Sequence, residues 1–79
     1  MAKVGDFYSF NSGGKLYFAK LININDIREP SKKYAFDIYS EGKSVYEDCI
    51  FVGEEYLQKW NYIGNVESKA SLIFEAFEE

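Results

Sequence analysis

Apolar and polar positions alternate along the first third of the chain in two runs typical of β-strands. The runs, residues 4–10 and Lys15–Ile24, flank Asn11-Ser12-Gly13-Gly14, whose glycines suit the positive φ angles of a tight hairpin turn. The second run is apolar on both faces, which predicts a strand that bends through a barrel wall, with a bulge near Lys20. The sequence therefore predicts an opening β-hairpin to which the later elements are added.

Two more strands are predicted after a polar loop. Residues 25–32 contain the only proline and have the polar composition of an exposed loop. Residues 33–40 alternate cleanly and predict a central strand. Glu41-Gly42-Lys43 predicts a turn that connects it to a further strand at 44–52. One face of the central strand carries three large side chains: Tyr34, Phe36 and Ile38.

Short helical and strand-like segments complete the chain. Residues 54–60 have the acidic start and apolar spacing of a short helix, and residues 61–66 fit a closing strand. Residues 67–79 repeat apolar positions at helical spacing, although residues 71–77 also fit a strand. Residues 1–79 are therefore predicted to form one mainly β domain with minor α content. We expect a small antiparallel barrel of about five strands with a short helix and a helical tail.

Aromatic residues and an uneven charge distribution distinguish the composition. Seven Phe, seven Tyr and one Trp among 79 residues are large side chains that let a short chain fill its core. Residues 1–33 carry six basic and three acidic side chains, whereas residues 34–79 carry three basic and ten acidic ones. Such a surface would steer a basic partner toward the second half, although ordinary solubility charge explains the distribution equally well.

The single cysteine bears on both compartment and chemistry. Cys49 cannot form an internal disulfide, and we find no positively charged apolar leader and no apolar run of membrane-spanning length. We therefore expect a cytoplasmic protein without membrane contact. Because Cys49 precedes Ile50, Phe51 and Val52 in a predicted strand, its thiol is expected to pack in the core rather than act as a nucleophile.

Most catalytic chemistry is excluded by residue types. The chain has no histidine, so Ser-His-Asp and Cys-His systems cannot be assembled and zinc sites lose their commonest ligand. Residues 11–15 superficially resemble a phosphate loop, but they lack its glycine spacing and lie between strands. We expect no enzymatic activity, no cofactor and no metal site.

A surface for binding another protein is the remaining candidate. The adjacent carboxylates of Glu47-Asp48 and Glu54-Glu55 do not face each other as acid–base pairs do, so they form either a solvated face or an acidic patch for the Lys and Arg of a partner. Tyr and Trp beside them are the residue types that dominate interface hot spots, although Trp60 would equally plug the barrel end. The predicted partner-binding residues are Tyr39, Glu41, Tyr46, Glu47, Asp48, Glu54, Glu55 and Trp60.

Lysines interleaved with aromatic residues suggest a different partner, single-stranded nucleic acid. Residues 15–20 and 32–34 have this pattern, in which bases would stack on the rings. A net charge of −4 argues against direct nucleic-acid binding, because such domains normally carry a basic footprint.

Three short motifs resemble the SH3-like barrels of the Tudor kind. They are Gly5-Asp6-Phe7, Leu16-Tyr17-Phe18-Ala19-Lys20-Leu21 and Phe36-Asp37-Ile38-Tyr39. The resemblance implies a small SH3-like barrel. It does not extend to the methyl-lysine or methyl-arginine cage, because Ser40-Glu41-Gly42 stands where that family has an Asp-Tyr-Gly turn.

Residues 4–66 are also similar to a group of bacterial immunity proteins, which neutralise polymorphic toxins encoded at the same locus. The similarity rests on Gly5-Asp6-Phe7, residues 14–20, residues 35–38 and a late Trp60 before Ile63-Gly64. It implies a small bacterial cytosolic antagonist without catalysis, and the acidic second half fits a basic toxin.

The leading hypothesis is thus a non-catalytic inhibitor that binds and neutralises a target protein with a basic surface. A phage-encoded antagonist of host defence is the first alternative, such as an anti-CRISPR or anti-restriction DNA mimic whose carboxylates imitate phosphates. A second alternative is a Tudor- or SH3-like module that binds a peptide in a pocket between the two hairpins, or binds nucleic acid. The sequence does not predict an oligomeric state.

Overall fold

Five antiparallel strands form one sheet in the computed structural model, which describes residues 2–27 and 29–65. A 3₁₀ turn at Pro30–Lys32 follows the second strand, and a short helix, α1, spans Glu54–Lys59. The mainly β fold class is confirmed, whereas the predicted helix at 67–79 lies outside the described residues. The strands are β1 (Asp6–Ser12), β2 (Lys15–Ile24), β3 (Tyr34–Ser40), β4 (Asp48–Val52) and β5 (Asn61–Asn65).

The opening hairpin forms as the sequence predicts. β1 pairs with β2 from Phe7 opposite Lys20 to Ser12 opposite Lys15. Gly13 and Gly14 make the two-residue turn at φ +58° and +78°, values that side chains with a Cβ rarely adopt. The turn chemistry therefore sets the register of the hairpin.

The sheet order is β4-β3-β2-β1-β5, so the last strand joins the first and α1 connects the two edge strands. Tyr8 on β1 and Phe36 on β3 meet edge to face with ring centroids 5.7 Å apart, although β2 lies between their strands. In a flat sheet those two backbones would be roughly 10 Å apart with side chains parallel. The sheet is therefore curved around this core in a barrel-like manner, with Tyr8, Ala19, Leu21, Tyr34, Phe36, Ile38, Val52 and Leu57 buried inside it.

A second apolar cluster occupies the other face of β1 and β2. Phe7 and Phe18 are its buried members, and Leu16, Tyr39 and Ile63 pack against them. This confirms that β2 is apolar on both faces. The predicted bulge is also present, although the register shift with β3 falls between Leu21 and Asn23 rather than at Lys20.

The strand predicted at 44–52 is shorter than expected. β4 begins only at Asp48, and the preceding residues form an exposed connection in which the Lys43 N–H donates to the Ser40 carbonyl. Strand pairing resumes where the Glu47 N–H donates to the Ile38 carbonyl over 2.8 Å. The alternation of 44–47 is compatible with a strand, but β3 ends at Ser40. With Ile38 opposite Asp48, residues 44 and 45 therefore have no partner in β3.

The prediction that Cys49 packs in the core is wrong. Its side chain is exposed, because Cys49 pairs with Asp37 and shares the outward side of the sheet with it. The inward positions of β4 are Ile50 and Val52, which pack against the core that contains Phe36. The register with β3, rather than the apolar run itself, decides which residues of β4 face the core.

Candidate protein-binding surface

The eight predicted partner-binding residues fall into two groups at opposite ends of β4. One group precedes or begins the strand, and the other follows it, in and after α1. Four residue steps separate Asp48 from Val52, which corresponds to roughly 13 Å of extended chain. The first group consists of Tyr39, Glu41, Tyr46, Glu47 and Asp48, and the second of Glu54, Glu55 and Trp60.

The first group is held together at the connection between β3 and β4. The rings of Tyr39 and Tyr46 meet edge to face with centroids 6.4 Å apart. Beside them, the Ser40 hydroxyl donates a hydrogen bond to Glu47 Oε1. Tyr46 remains 52% exposed, whereas Tyr39 is half-buried in the second apolar cluster, where burial raises its pKa. The exposed Tyr46 ring thus packs against the half-buried Tyr39 ring.

Glu47 and Asp48 are exposed carboxylates without a cationic partner in the described part of the chain. The two ion pairs found there, Lys32–Glu29 and Lys33–Asp26, lie in the loop between β2 and β3. Asp48 Oδ1 accepts the N–H of Cys49 over 2.8 Å, which orients the carboxylate without neutralising it. The negative charge at this end of β4 is therefore available to a partner.

The second group is tied to the core. Glu54 Oε1 accepts the hydroxyl of Tyr34 over 2.7 Å, and this hydrogen bond is the main reason the Tyr34 pKa is raised. Glu55 is exposed in the same first turn of α1. Glu54 therefore hydrogen-bonds a buried core residue, whereas Glu47 and Asp48 accept hydrogen bonds from Ser40 and Cys49, which are near them in the sequence.

Trp60 closes one end of the core. Its ring stacks on Phe10 with centroids 4.6 Å apart and meets Phe36 edge-on at 5.1 Å. Phe10 in turn stacks on Tyr17 at 5.5 Å, which extends the aromatic row across the opening hairpin. The geometry corresponds to the plug that the sequence offered as one of two roles for Trp60.

An open cleft of about 310 Å³ lies between the opening hairpin and the β3–β4 hairpin. Its lining combines aromatic and aliphatic side chains with the acidic residues Glu47 and Asp48. We call it the aromatic cleft; it is lined by Phe10, Ser12, Tyr17, Ile38, Glu47, Asp48 and Ile50.

Sequence reasoning missed Phe10, Tyr17 and Ile50 as members of a site. A signal was present for two of them, because Phe10 and Tyr17 lie at equal distances from the Gly13-Gly14 turn. A two-residue hairpin places such residues opposite each other on one face, and the structure pairs them. The inward position of Ile50 depends on how β4 pairs with β3, and the sequence did not specify that register.

The lysine-and-aromatic segment does not present its rings on one surface. Tyr17 lines the aromatic cleft, while Phe18 points to the opposite face of the sheet and is 8% exposed. The Lys33 ammonium is 3.1 Å from Asp26 Oδ1, which raises the lysine pKa by hydrogen bonding and charge attraction. These residues therefore do not form the continuous basic stacking platform that single strands require.

Residues 2–27 and 29–65 contain neither a metal-binding cluster nor a membrane-spanning helix. No group of three or more His, Cys, Asp or Glu side chains is arranged to hold a metal ion there. No helix in that part of the chain is both long enough and apolar enough to cross a bilayer.

Comparison with known proteins gives no match, whether against protein-family models, curated proteins or solved structures. The resemblances to Tudor-like barrels and to immunity proteins therefore remain predictions from short motifs.

Proposed function

We propose that this chain is a non-catalytic inhibitor that binds a target protein with a basic surface. The observation that supports the proposal most is the pair of exposed acidic residues, Glu47 and Asp48, that line the aromatic cleft. Carboxylates that form no ion pair in the described part of the chain are suited to a complementary charge on another molecule. The binding surface is thus centred on the β3–β4 connection and not on the opening hairpin alone.

The chemistry around these carboxylates resembles that of a protein interface. Tyr46 is an exposed aromatic side chain next to Glu47, and Val45 beside it is 74% exposed. Protein interfaces combine an apolar centre, often aromatic, with a polar rim. A target that covers Tyr46 and Val45 would bring its own basic residues to the carboxylates.

An immunity protein and a phage antagonist are two versions of this function. In the phage version the carboxylates imitate DNA phosphates, which recur regularly along each strand. Here the four candidate carboxylates, Glu47, Asp48, Glu54 and Glu55, lie in two groups at opposite ends of β4, and Glu54 accepts a hydrogen bond from Tyr34. The grouping favours recognition of a local basic patch over imitation of an extended phosphate row.

A peptide-binding module is a second candidate, which the position of the aromatic cleft favours. The cleft lies between the two hairpins, where that alternative places its pocket, and Tyr17 and Ile38 line it from neighbouring strands. Titration with short peptides would separate the candidates, since a module of this kind binds an isolated peptide whereas an inhibitor of a folded surface needs the intact target.

Capture of a target tests the proposed inhibitor. The tagged protein would be used to capture partners from its native cells, or from the host if it is viral, and the captured protein would be purified. We expect a 1:1 complex in which the partner loses its own activity. Reversing the charges of Glu47, Asp48, Glu54 and Glu55 should weaken the complex in a folded variant. A purified partner that keeps its activity in the complex, or undiminished binding by that variant, would contradict the proposal.

A further inference from the structure

The aromatic cleft combines ring surfaces and negative charge at a scale that fits one side chain. Ligand pockets span roughly 300 to 1,000 Å³, and a volume of about 310 Å³ is at the lower limit of that range. Its lining supplies two rings, Phe10 and Tyr17, and two carboxylates, Glu47 and Asp48. An occupant that uses this whole surface must carry a positive charge. It must also have a flat or aliphatic part that packs against the rings.

We infer that the aromatic cleft receives one arginine side chain of the target, which stacks on Tyr17 and pairs with Glu47 and Asp48. Phe10 is not the stacking partner, because its ring already stacks on Trp60 and on Tyr17. The inference rests on the proposed binding of a basic protein surface and specifies its central contact. It identifies the cleft as the position that determines specificity.

Arginine fits this lining better than lysine for two physical reasons. Its planar guanidinium lies flat on an aromatic ring, whereas an ammonium is a compact and strongly hydrated point charge. Its fork of N–H donors also matches a carboxylate in a bidentate manner. Glu47 and Asp48 are adjacent in sequence and line the same cleft, so one guanidinium can approach either carboxylate while it covers a ring.

Existing contacts leave this position open to an arginine. Ser40 donates to one oxygen of Glu47, and the Cys49 N–H donates to one oxygen of Asp48. Each contact holds its carboxylate in place while leaving it charged. In the described residues no Lys or Arg of the chain forms an ion pair with either one.

NMR titration of the full-length protein with a small probe tests the inference without the target. The probe is N-acetyl-arginine amide, and the control is N-acetyl-citrulline amide, which keeps the planar shape but has no charge. We expect saturable shift changes at Phe10, Tyr17, Ile38 and Ile50 with arginine, and affinity at least about tenfold lower with citrulline, as expected for loss of a charge-assisted pair. N-acetyl-lysine amide should bind more weakly than arginine.

Matched charge variants assign the site. Glu47→Gln/Asp48→Asn should abolish saturable binding of the arginine probe, whereas Glu54→Gln/Glu55→Gln removes the same charge at the other end of β4 and should leave it unchanged. The amide oxygen introduced by Glu54→Gln can still accept the Tyr34 hydroxyl, so the control variant keeps that contact. Equal binding of arginine and citrulline, shifts outside the cleft, or loss of binding in the control alone would each overturn the inference.

The test of the arginine contact can fail or succeed independently of the test of the inhibitory function. If the captured target binds and is inhibited while the arginine probe gives no shifts in the cleft, the inhibitor stands and the arginine contact is wrong. If the probe binds as expected and no target is inhibited, the cleft stands and the inhibitory function is wrong.

Discussion

The indole ring of Trp60 stacks on the phenyl ring of Phe10, with centroids 4.6 Å apart and planes 13° from parallel. This contact joins Trp60, which follows α1, to the opening hairpin through Phe10, which also lines the aromatic cleft. Trp60, which was predicted to contact a partner, therefore packs behind Phe10, which lines the cleft.

Loss of this stacking should destabilise the fold. Phe10→Leu and Trp60→Leu each remove ring surface from a half-buried aromatic row, and each should lower the free energy of unfolding by about 2 kcal/mol. Urea denaturation followed by circular dichroism measures the change. Tyr56→Leu is the control: its ring meets Trp60 edge-on at 5.9 Å but is 43% exposed, so its loss should cost less than about 1 kcal/mol. Equal costs for all three would show that the stacking does not stabilise the fold.

Local patterns predicted most of the fold, because its elements follow from turn chemistry and alternation. Gly13 and Gly14 form the hairpin turn, and the alternation of Tyr34, Phe36 and Ile38 identified the inward face of β3. The start of β4 and the exposure of Cys49 were not predicted. Both depend on register with β3, which is a long-range property that no local run of apolar residues specifies.

The candidate site was predicted in part for the same reason. Glu47 and Asp48 stood out as adjacent carboxylates, and Tyr46 as a nearby aromatic residue. The aromatic cleft that Glu47 and Asp48 line requires two hairpins to lie side by side, so that Tyr17, Ile38 and Ile50 line it together. Tertiary contacts of this kind leave no mark in the local sequence.

Asp6 is a buried carboxylate that links the start of the fold to its last strand. It is 3% exposed, and its oxygens accept the Lys3 N–H over 2.9 Å and the Asn65 amide over 3.0 Å. Asp6→Ala should lower the free energy of unfolding by about 2 to 3 kcal/mol, because it leaves those donors without their acceptor. Asp48→Ala, which removes an exposed carboxylate, should cost less than about 1 kcal/mol. Comparable losses in urea denaturation would contradict the structural role of Asp6.

Stability should fall at alkaline pH because of Tyr8. Burial, with the charge of Asp6 second, raises the Tyr8 pKa from 10.0 to about 12. The fold therefore favours the neutral phenol of Tyr8. The contribution of this preference to the free energy of unfolding is complete below pH 10 and is lost as the pH rises toward 12. Urea denaturation across this interval should show a loss on the order of 2 kcal/mol.

Tyr8→Phe is the matched variant for this effect, since it keeps the ring that contacts Phe36 and removes the titrating hydroxyl. Its stability should depend less steeply on pH over the same interval. The remaining slope comes from the other groups whose pKa values are raised, which are Tyr34, Tyr39, Tyr62 and Lys33. An unchanged slope would show that Tyr8 is not the main source.

Cys49 should react with a thiol reagent in the native protein. Its side chain is exposed on the outward side of β4, so a disulfide reagent should label it in buffer nearly as fast as in denaturant. Absorbance of the released thiolate gives both rates. Native protection by more than about a hundredfold would indicate that the residue is buried and that the β4 register is different.

Affinity for the captured target, measured by calorimetry with matched charge variants, tests the central claim most directly. Glu47→Gln/Asp48→Asn should raise the dissociation constant at least about thirtyfold, because a desolvated charge pair contributes roughly 2 kcal/mol or more at an interface. Glu54→Gln/Glu55→Gln should change it less than about threefold. Equal effects of the two variants, or a larger effect of the second, would contradict a binding surface centred on the aromatic cleft.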